Sequence, residues 1–404
     1  MEQNRNESDL VVIGGGAAGI FGAINFALSN PGKQVILLEK ASRLLQKVKI
    51  SGGGRCNVTH ACFDPRELVM HYPRGQKELL GPFNRFACGD MMAWLEDRGV
   101  ELKIEDDGRI FPVSNDSQTI IDCFLGEVNQ LPISIIHEGV TSIQKEGESY
   151  VVHTKDGHYK APSLLVATGS SKQFWQHLES IGVQLTAPVP SLFTFNIKHP
   201  VLKDLPGIAF PQAEVSIPKL NHTDFGPMLI THWGLSGPAI IRSSAVCARS
   251  LHEMDYKFDI QINWIGMDAE QVQEVIQDQR KHRGSQKVQH QNPFHLPKRF
   301  WHRLLDLSDI QGNWADLSKK QMEELVDLLS RCDLSVDGKS TFKEEFVTAG
   351  GVDLAEVDFR RMEHKRMAGL YFAGEVLDID AVTGGFNFQA AWTTSWIAAN
   401  SIGN

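Results

Sequence analysis

Three glycines, Gly14, Gly16 and Gly19, follow the short β-type run Leu10–Ile13 and open the helix-compatible run Ala17–Ser29. Without a Cβ the chain can turn sharply there, and its backbone can approach a pyrophosphate. The start of the helix offers unpaired N–H groups and partial positive charge. Gly16 is expected to be glycine for its backbone angles as well as for ligand space. The next apolar run, Val35–Leu38, ends at Glu39, whose carboxylate is placed to bond a ribose diol. Strand, glycine turn, helix, second strand and acid in this order predict a dinucleotide site.

Other stretches carry the same kind of chemistry. Ser51-Gly52-Gly53-Gly54-Arg55-Cys56-Asn57-Val58-Thr59 has three successive glycines, which suit neither a helix nor a strand. They suit a loop whose N–H groups lie against a ligand, with Arg55 offering a fixed fork of donors. The apolar run Leu164-Leu165-Val166-Ala167 reads as a buried parallel strand and exits through Thr168-Gly169-Ser170. Near the end of the chain, Leu370-Tyr371-Phe372-Ala373 leads to Gly374-Glu375 and then to Thr383-Gly384-Gly385-Phe386-Asn387. A helix-compatible tail follows. This second strand–glycine–helix transition would close the crevice with another helix N-terminus.

Candidates for proton or electron transfer are sparse. His232, in Thr231-His232-Trp233-Gly234, is the candidate for moving a proton, with a structural or surface histidine as the alternative. The six cysteines form no CxxC pair, so neither a redox dithiol nor a zinc knuckle is expected, and no metal site is predicted. A reduced, cytoplasmic setting is the expectation, with Cys56 as a thiol packed against the ligand. No second GxGxxG follows a strand in 140–190, which argues against a separate NAD(P) domain. Transient nicotinamide binding stays open.

The 404 residues are enough for two or three domains, and 42% apolar with 22% charged residues is ordinary for a soluble protein. The glycine cluster and Asn25 argue against a signal or membrane reading of 11–28. A formal charge of −9 argues against a general nucleic-acid binder. Helices are expected over 86–98 and 117–130, the latter capped at Asp116 or Ser117, with a meander over 133–161. From about 190 the alternating runs predict an antiparallel or barrel-like insert. Proline-led Ala239–Val246 predicts a short helix, and 268–283, 297–306 and 318–330 predict three more. The cations and histidines between Arg280 and Arg303 read as a solvated face, with a partner or nucleic-acid surface as the alternative. The sheet returns at Leu370, so residues near 190–345 lie inserted within an open-sheet domain.

Gly14–Gly19 (GGGAAG), Ser51–Asn57 (SGGGRCN), Thr231–Ala239 (THWGLSGPA), Phe346–Val352 (FVTAGGV) and Tyr371–Asp378 (YFAGEVLD), continuing to TGGFNFQAAW, together make the chain resemble a known family over essentially its full length. The family is that of the BaiN-type, aminoacetone-oxidase-like FAD-binding oxidoreductases, relatives of glutathione-reductase-like flavoproteins. The resemblance implies an α/β fold: a discontinuous FAD-binding Rossmann-like domain (1–188 and 346–404), a β-barrel-like insert (189–265 and 331–345) and a helical domain (266–330). It implies that Gly14, Gly16, Ala17, Ala18 and Gly19 cradle the FAD pyrophosphate and that Glu39 holds the adenosine ribose. Lys40, Lys49, Ser51, Gly53, Gly54, Arg55, Cys56 and Asn57 would line the cofactor. Val140 would meet the adenine side, Thr168 and Gly169 the ribose, Gly374 and Glu375 the ribityl or phosphate region, and Gly385, Phe386 and Asn387 the flavin end. Ser170, Ala381 and His364 depart from the family's commoner residues. The expected activity is FAD-dependent oxidoreduction of a small organic substrate, with NAD(P)H as reductant. The alternatives are an oxygen-dependent oxidase of a small amine and a non-enzymatic flavin redox sensor. No membrane or nucleic-acid partner is expected, and the oligomeric state stays open.

Overall fold

The computed structural model describes residues 6–340 and 347–403. Phe346 of the FVTAGGV motif and the end of the 331–345 segment lie outside them. The chain forms two compact units, residues 1–189 with 347–404, and residues 190–346.

The first unit is built on a parallel sheet. Leu10–Ile13 lies between Val35–Leu38 and Ser163–Val166, Ile133–Ile136 flanks Val35–Leu38, and Leu370–Phe372 lies beyond Ser163–Val166. The antiparallel pairs Glu363–His364 and Val357–Asp358 extend the far edge. Leu10–Ile13 and Val35–Leu38 are buried throughout, as parallel strands covered on both faces must be. Their register decides the rest: Ile13 stands opposite both Leu38 and Val166. The three strands end level, so Gly14, Glu39 and Ala167 leave the sheet side by side.

Helices Ala17–Ser29 and Phe386–Ser401 are buried on nearly every side, and neither has a marked polar face. Gly22 marks their crossing with the sheet, since a Cβ there would come within 2.7 Å of Leu165 and 3.4 Å of Ser395. Phe21 centres an aromatic cluster with Phe86, Trp94, Phe124 and Trp392, at centroid distances of 5.0 to 6.0 Å.

Ile133–Ile136 corrects the four-piece meander expected over 133–161. It is a parallel edge strand of the main sheet, and the meander holds only Ser142–Glu146, Ser149–His153 and His158–Ala161. A short apolar run carries no mark of which sheet will take it.

The second unit is a closed, all-antiparallel barrel of Thr194–Ile197, Gly234–Ser236, His222–Ile230, Ala209–Ile217, Lys257–Asn263 and Cys332–Ser340. Helices Ala269–Arg283, Lys298–Leu307 and Lys319–Ser330 complete it, with Asp268 and Ser318 as reciprocal caps. The sequence reading gives 266–330 a domain of its own. Here these helices and the barrel share one hydrophobic core. Phe300 packs 4.8 Å from Phe210 and 4.9 Å from Trp264, centroid to centroid, because a one-sided apolar helix must find a partner surface.

Candidate functional site

The glycines at the sheet's carboxyl edge divide by role. Gly14 has φ +110°, and a Cβ would lie 2.4 Å from the Ala167 carbonyl oxygen. At Gly19 it would lie 1.8 Å from the Gly14 oxygen. Both glycines are required by the fold. Gly16 is different, and corrects the expectation that its backbone angles demand glycine: φ is −85°, open to any residue. A Cβ at Gly16 would meet no protein atom within 4 Å. The space beside Gly16 is therefore kept clear of the protein itself.

Three features make this space fit an anion flanked by a ribose. Helix Ala17–Ser29 has no side-chain N-cap and no acid in its first turn, so its leading N–H groups stay available. Glu39 accepts from Gly15 N (2.7 Å) and Ala41 N (2.8 Å), which fixes a carboxylate that still has lone pairs for hydroxyl donors. Thr168, on the exit from Ser163–Val166, has a buried hydroxyl with no hydrogen-bond partner. Gly169 and Glu375 sit together, with a Gly169 Cβ reaching 3.6 Å from the Glu375 carboxylate, which also pairs with Lys47. Gly374 (φ +73°) packs on Ala18, 2.9 Å from its would-be Cβ. The structure thus brings Gly14, Gly16, Ala17, Ala18, Gly19, Glu39, Thr168, Gly169, Gly374 and Glu375 to one edge.

A second cluster forms where the triple-glycine loop meets the last helix. Ser51, Gly52 and Gly53 are non-helical, and Gly53 and Gly54, at positive φ, have open space where a Cβ would stand. Asn57, with its amide oriented to satisfy both ends, accepts from Gly385 N (3.0 Å) and donates to Thr59 O (3.0 Å) and Ile110 O (3.3 Å). Gly385, at φ +92°, leaves 2.7 Å between a Cβ and the Thr59 oxygen. Phe386 begins the helix and stacks on His71 (4.0 Å) and His60 (4.6 Å). His60 Nε2 bonds the Asp107 carbonyl at 3.1 Å, and its Nδ1 is buried with no partner. Burial holds this imidazole below its usual pKa against the pull of Asp107, which favours the neutral ring.

Several expected lining residues bond to other protein groups or lie at the surface. The Arg55 guanidinium lies over Phe111 (3.9 Å) and pairs with Glu105 (2.6 Å). Lys49 reaches Gln118 and Asp116 on the surface, Lys40 is exposed and Val140 is half-buried. Ser51 Oγ donates to Val48 O, and both ends of the Asn387 amide bond the backbone of Ala381. Cys56 is fully buried, and burial pushes its thiol up to about 12. All six cysteines are free. His232 is exposed at a turn of the barrel unit. Gly234 and Gly237 of its motif have fold roles of their own, since a Cβ would lie 2.1 Å from Phe195 O and 2.9 Å from Met228 Cα respectively.

The sequence reading missed His60, His71 and the pair Arg74–Asp380. His60 directly follows the glycine stretch, which is a usable signal. Arg74 and Asp380 are 306 positions apart, a buried bidentate pair with no local pattern.

Level parallel strands, a glycine cradle at their carboxyl ends and an inserted barrel define a Rossmann-type flavoprotein fold. The chain belongs to the HI0933-like family of FAD-binding Rossmann oxidoreductases, whose model, "HI0933-like protein Rossmann domain", matches residues 8–401. It is 28% identical over 405 residues to a ribosomal RNA dihydrouridine synthase of Escherichia coli (strain K12), covering 98% of each chain. It is 27% identical over 406 residues to a 3-dehydro-bile acid delta(4,6)-reductase of Clostridium scindens, covering 96% of this chain and 98% of that one. Among solved structures, the 3-ketosteroid-delta4-(5alpha)-dehydrogenase of Rhodococcus jostii RHA1 in complex with 4-androstene-3,17-dione has a TM-score of 0.54 at 13% identity. That match covers 100% of this chain and 98% of the other, and speaks to the fold. No described helix is long and apolar enough to cross a membrane.

Proposed function

We propose that this protein binds FAD along the edge from Gly16 to Gly385 and reduces a carbon–carbon double bond conjugated with a carbonyl. The observation that carries cofactor binding is the clear space at Gly16 beside an uncapped helix start and the unpaired Thr168 hydroxyl. The choice of reaction is supported by two relatives whose names describe one chemistry. Making dihydrouridine saturates the uracil double bond next to a carbonyl, and a delta(4,6)-reductase saturates double bonds in conjugation with a 3-oxo group.

Bound FAD supplies two-electron hydride transfer. The chain's residues do the rest: the helix start and Gly16 seat the pyrophosphate, Glu39 takes the ribose hydroxyls, and Asn57 locks the glycine loop to Gly385. NAD(P)H is the proposed electron source, binding transiently and without a domain of its own. The substrate double bond then gains two electrons and two protons, the hydride equivalent coming from NAD(P)H, which becomes NAD(P)⁺, and the second proton from solvent.

The test is anaerobic reduction of the holoprotein with NADH or NADPH, then mixing with a 4-ene-3-oxo steroid or uridine-containing ribosomal RNA. Reoxidation of the flavin with formation of the saturated product is expected. A flavin reduced only by a small amine, and reoxidised only by oxygen, would overturn this reading in favour of an oxidase.

A further inference from the structure

The imidazole of His60 is held on several sides. Its ring stacks on Phe386 (4.6 Å, planes 24° apart) and lies 6.0 Å from His71, which stacks on the same phenyl ring at 4.0 Å. A Cβ at Gly108 would come within 2.5 Å of His60 Cε1 and 3.2 Å of Nδ1, and one at Gly384 within 3.5 Å of Cδ2. Glycine at both positions leaves room for the ring. Phe386 is itself anchored, because the Tyr72 hydroxyl donates to its carbonyl (2.6 Å).

Hydrogen bonding sets the tautomer. Nε2 lies 3.1 Å from the carbonyl oxygen of Asp107, which can only accept, so Nε2 carries the hydrogen and Nδ1 presents a lone pair. That lone pair is buried without a partner. A buried acceptor left unpaired destabilises a fold and calls for a role. The charged and titratable groups around the ring are Asp107 and Arg109, paired with each other at 2.7 Å, then His71 and the Cys88 thiol, which burial raises. Other groups of this cluster are poor proton donors near neutral pH. Burial keeps Cys56 and Tyr72 protonated, and Arg74 is committed to Asp380.

We propose that His60 is the acid of this site, carrying a proton from water to the second carbon of the double bond and delivering it from Nδ1. The assignment rests on the reductase reading above and on Asn57, whose amide ties Thr59, next to His60, to Gly385. As the hydride equivalent originating in NAD(P)H reaches one carbon, the π electron pair forms a C–H bond at the other. The Nδ1–H bond breaks, its electrons stay on the ring, and the neutral imidazole regains a proton from water. The Asp107 carbonyl keeps its bond to Nε2 in both states. NAD(P)H is oxidised, the double bond is reduced, and one solvent proton is consumed.

The experiment reduces FAD-loaded wild type, H60Q and H60A anaerobically with NADH or NADPH. Each is then mixed with whichever acceptor reoxidises wild type, the 4-ene-3-oxo steroid or the uridine-containing RNA, from about pH 5 to about pH 8. Flavin content and the rate of flavin reduction should match wild type in both variants. Reoxidation should slow by roughly 10²–10⁴-fold. In wild type its rate should fall about tenfold per pH unit above the pKa of the ring, which burial holds below 6.5, and H60Q should lose that dependence. Free imidazole should restore part of the rate to H60A, which a structural role would not allow. Independently of flavin, ¹⁵N spectra of histidine-labelled apoprotein at about pH 7.5 should show His60, assigned by its absence in H60Q, bare at Nδ1 and protonated at Nε2. The opposite tautomer overturns the proposal. So does wild-type reoxidation with an unchanged pH profile in H60Q, loss of flavin from both variants, or a loss confined to H232A. If neither acceptor reoxidises wild type, the reductase reading fails and this assignment falls with it.

Discussion

At the scale of single residues, Gly14 and Gly16, two positions apart, separate what the fold needs from what the ligand needs. Gly14→Val drives a side chain into the Ala167 carbonyl and should lower folding stability and soluble yield. At Gly16 a Cβ meets no protein atom within 4 Å and φ is open to any residue, so Gly16→Val should fold with near wild-type thermal stability as apoprotein and yet elute colourless. Flavin absorbance per polypeptide, read beside circular dichroism, checks the pair; a yellow Gly16→Val protein defeats the cradle assignment. The thiols give a second expectation. Cys56 is buried with its thiol at about 12, so it is protonated at neutral pH and unfit to attack a disulfide or a substrate. Cys56→Ser should keep most turnover. His232→Ala should lose roughly 10²–10⁴-fold if that histidine moves the substrate proton, with flavin content unchanged. The opposite pattern, a dead but flavin-replete serine variant and a normal alanine variant, would make the thiol chemical.

At the scale of elements, the sequence was most legible where structure is local. Helix Ser117–Gln130 follows the expected cap Asp116, and the expected runs 268–283 and 318–330 hold helices Ala269–Arg283 and Lys319–Ser330, each opening one residue later because Asp268 and Ser318 are their caps. Level strand ends at Ile13, Leu38 and Val166 follow from apolar runs that stop at small or acidic residues. Pairing across long separations was not legible, because no spacing rule links Ile133 to Val35, Phe386 to His71 or Arg74 to Asp380. That last pair bridges the loop before Phe386–Ser401 to the segment after His71, with Asp380 wholly buried. Asp380→Ala removes the bidentate carboxylate partner of Arg74 and should lower stability in urea unfolding by up to about 3–5 kcal/mol. His364 gives a pH signature. Its Nδ1 accepts from the N–H groups of Arg366 and Met367 (3.1 Å each), while Nε2 meets Glu356 at 3.1 Å. Burial holds its pKa below the usual 6.5 in spite of Glu356, so the unfolded chain binds the proton more readily. The stability from the neutral ring is complete above about 6.5 and is lost as pH falls from there toward the folded value. The thermal midpoint should drop as pH falls below about 6.5, and His364→Gln should flatten that drop. A wild-type midpoint constant across this range would contradict it.

At the scale of the whole molecule, the two units have separate cores, and the chain leaves and re-enters the first unit through neighbouring strands. Leu185–Pro190 and Thr348–Val352 are paired with each other, and Gly350 leaves only 2.7 Å between a Cβ and the Ala187 oxygen. The exit and return of the insert are therefore adjacent within the unit that holds the glycine cradle. Every residue of that cradle, from Gly14 to Glu375, belongs to this unit, as do Asn57, His60, His71 and Phe386. The basic stretch and His232 belong to the other. Such a division predicts that binding of cofactor and binding of substrate can be cut apart. Replacing residues 190–346 by a short Gly/Ser linker should leave a monodisperse protein that takes up FAD in near one-to-one ratio, because loop closure between adjacent strand ends costs little. The same protein should not turn over. Equilibrium dialysis against FAD, with sedimentation to establish a single species, is the check. A well-folded excision protein that takes up no FAD would show that the cradle is incomplete without the barrel unit.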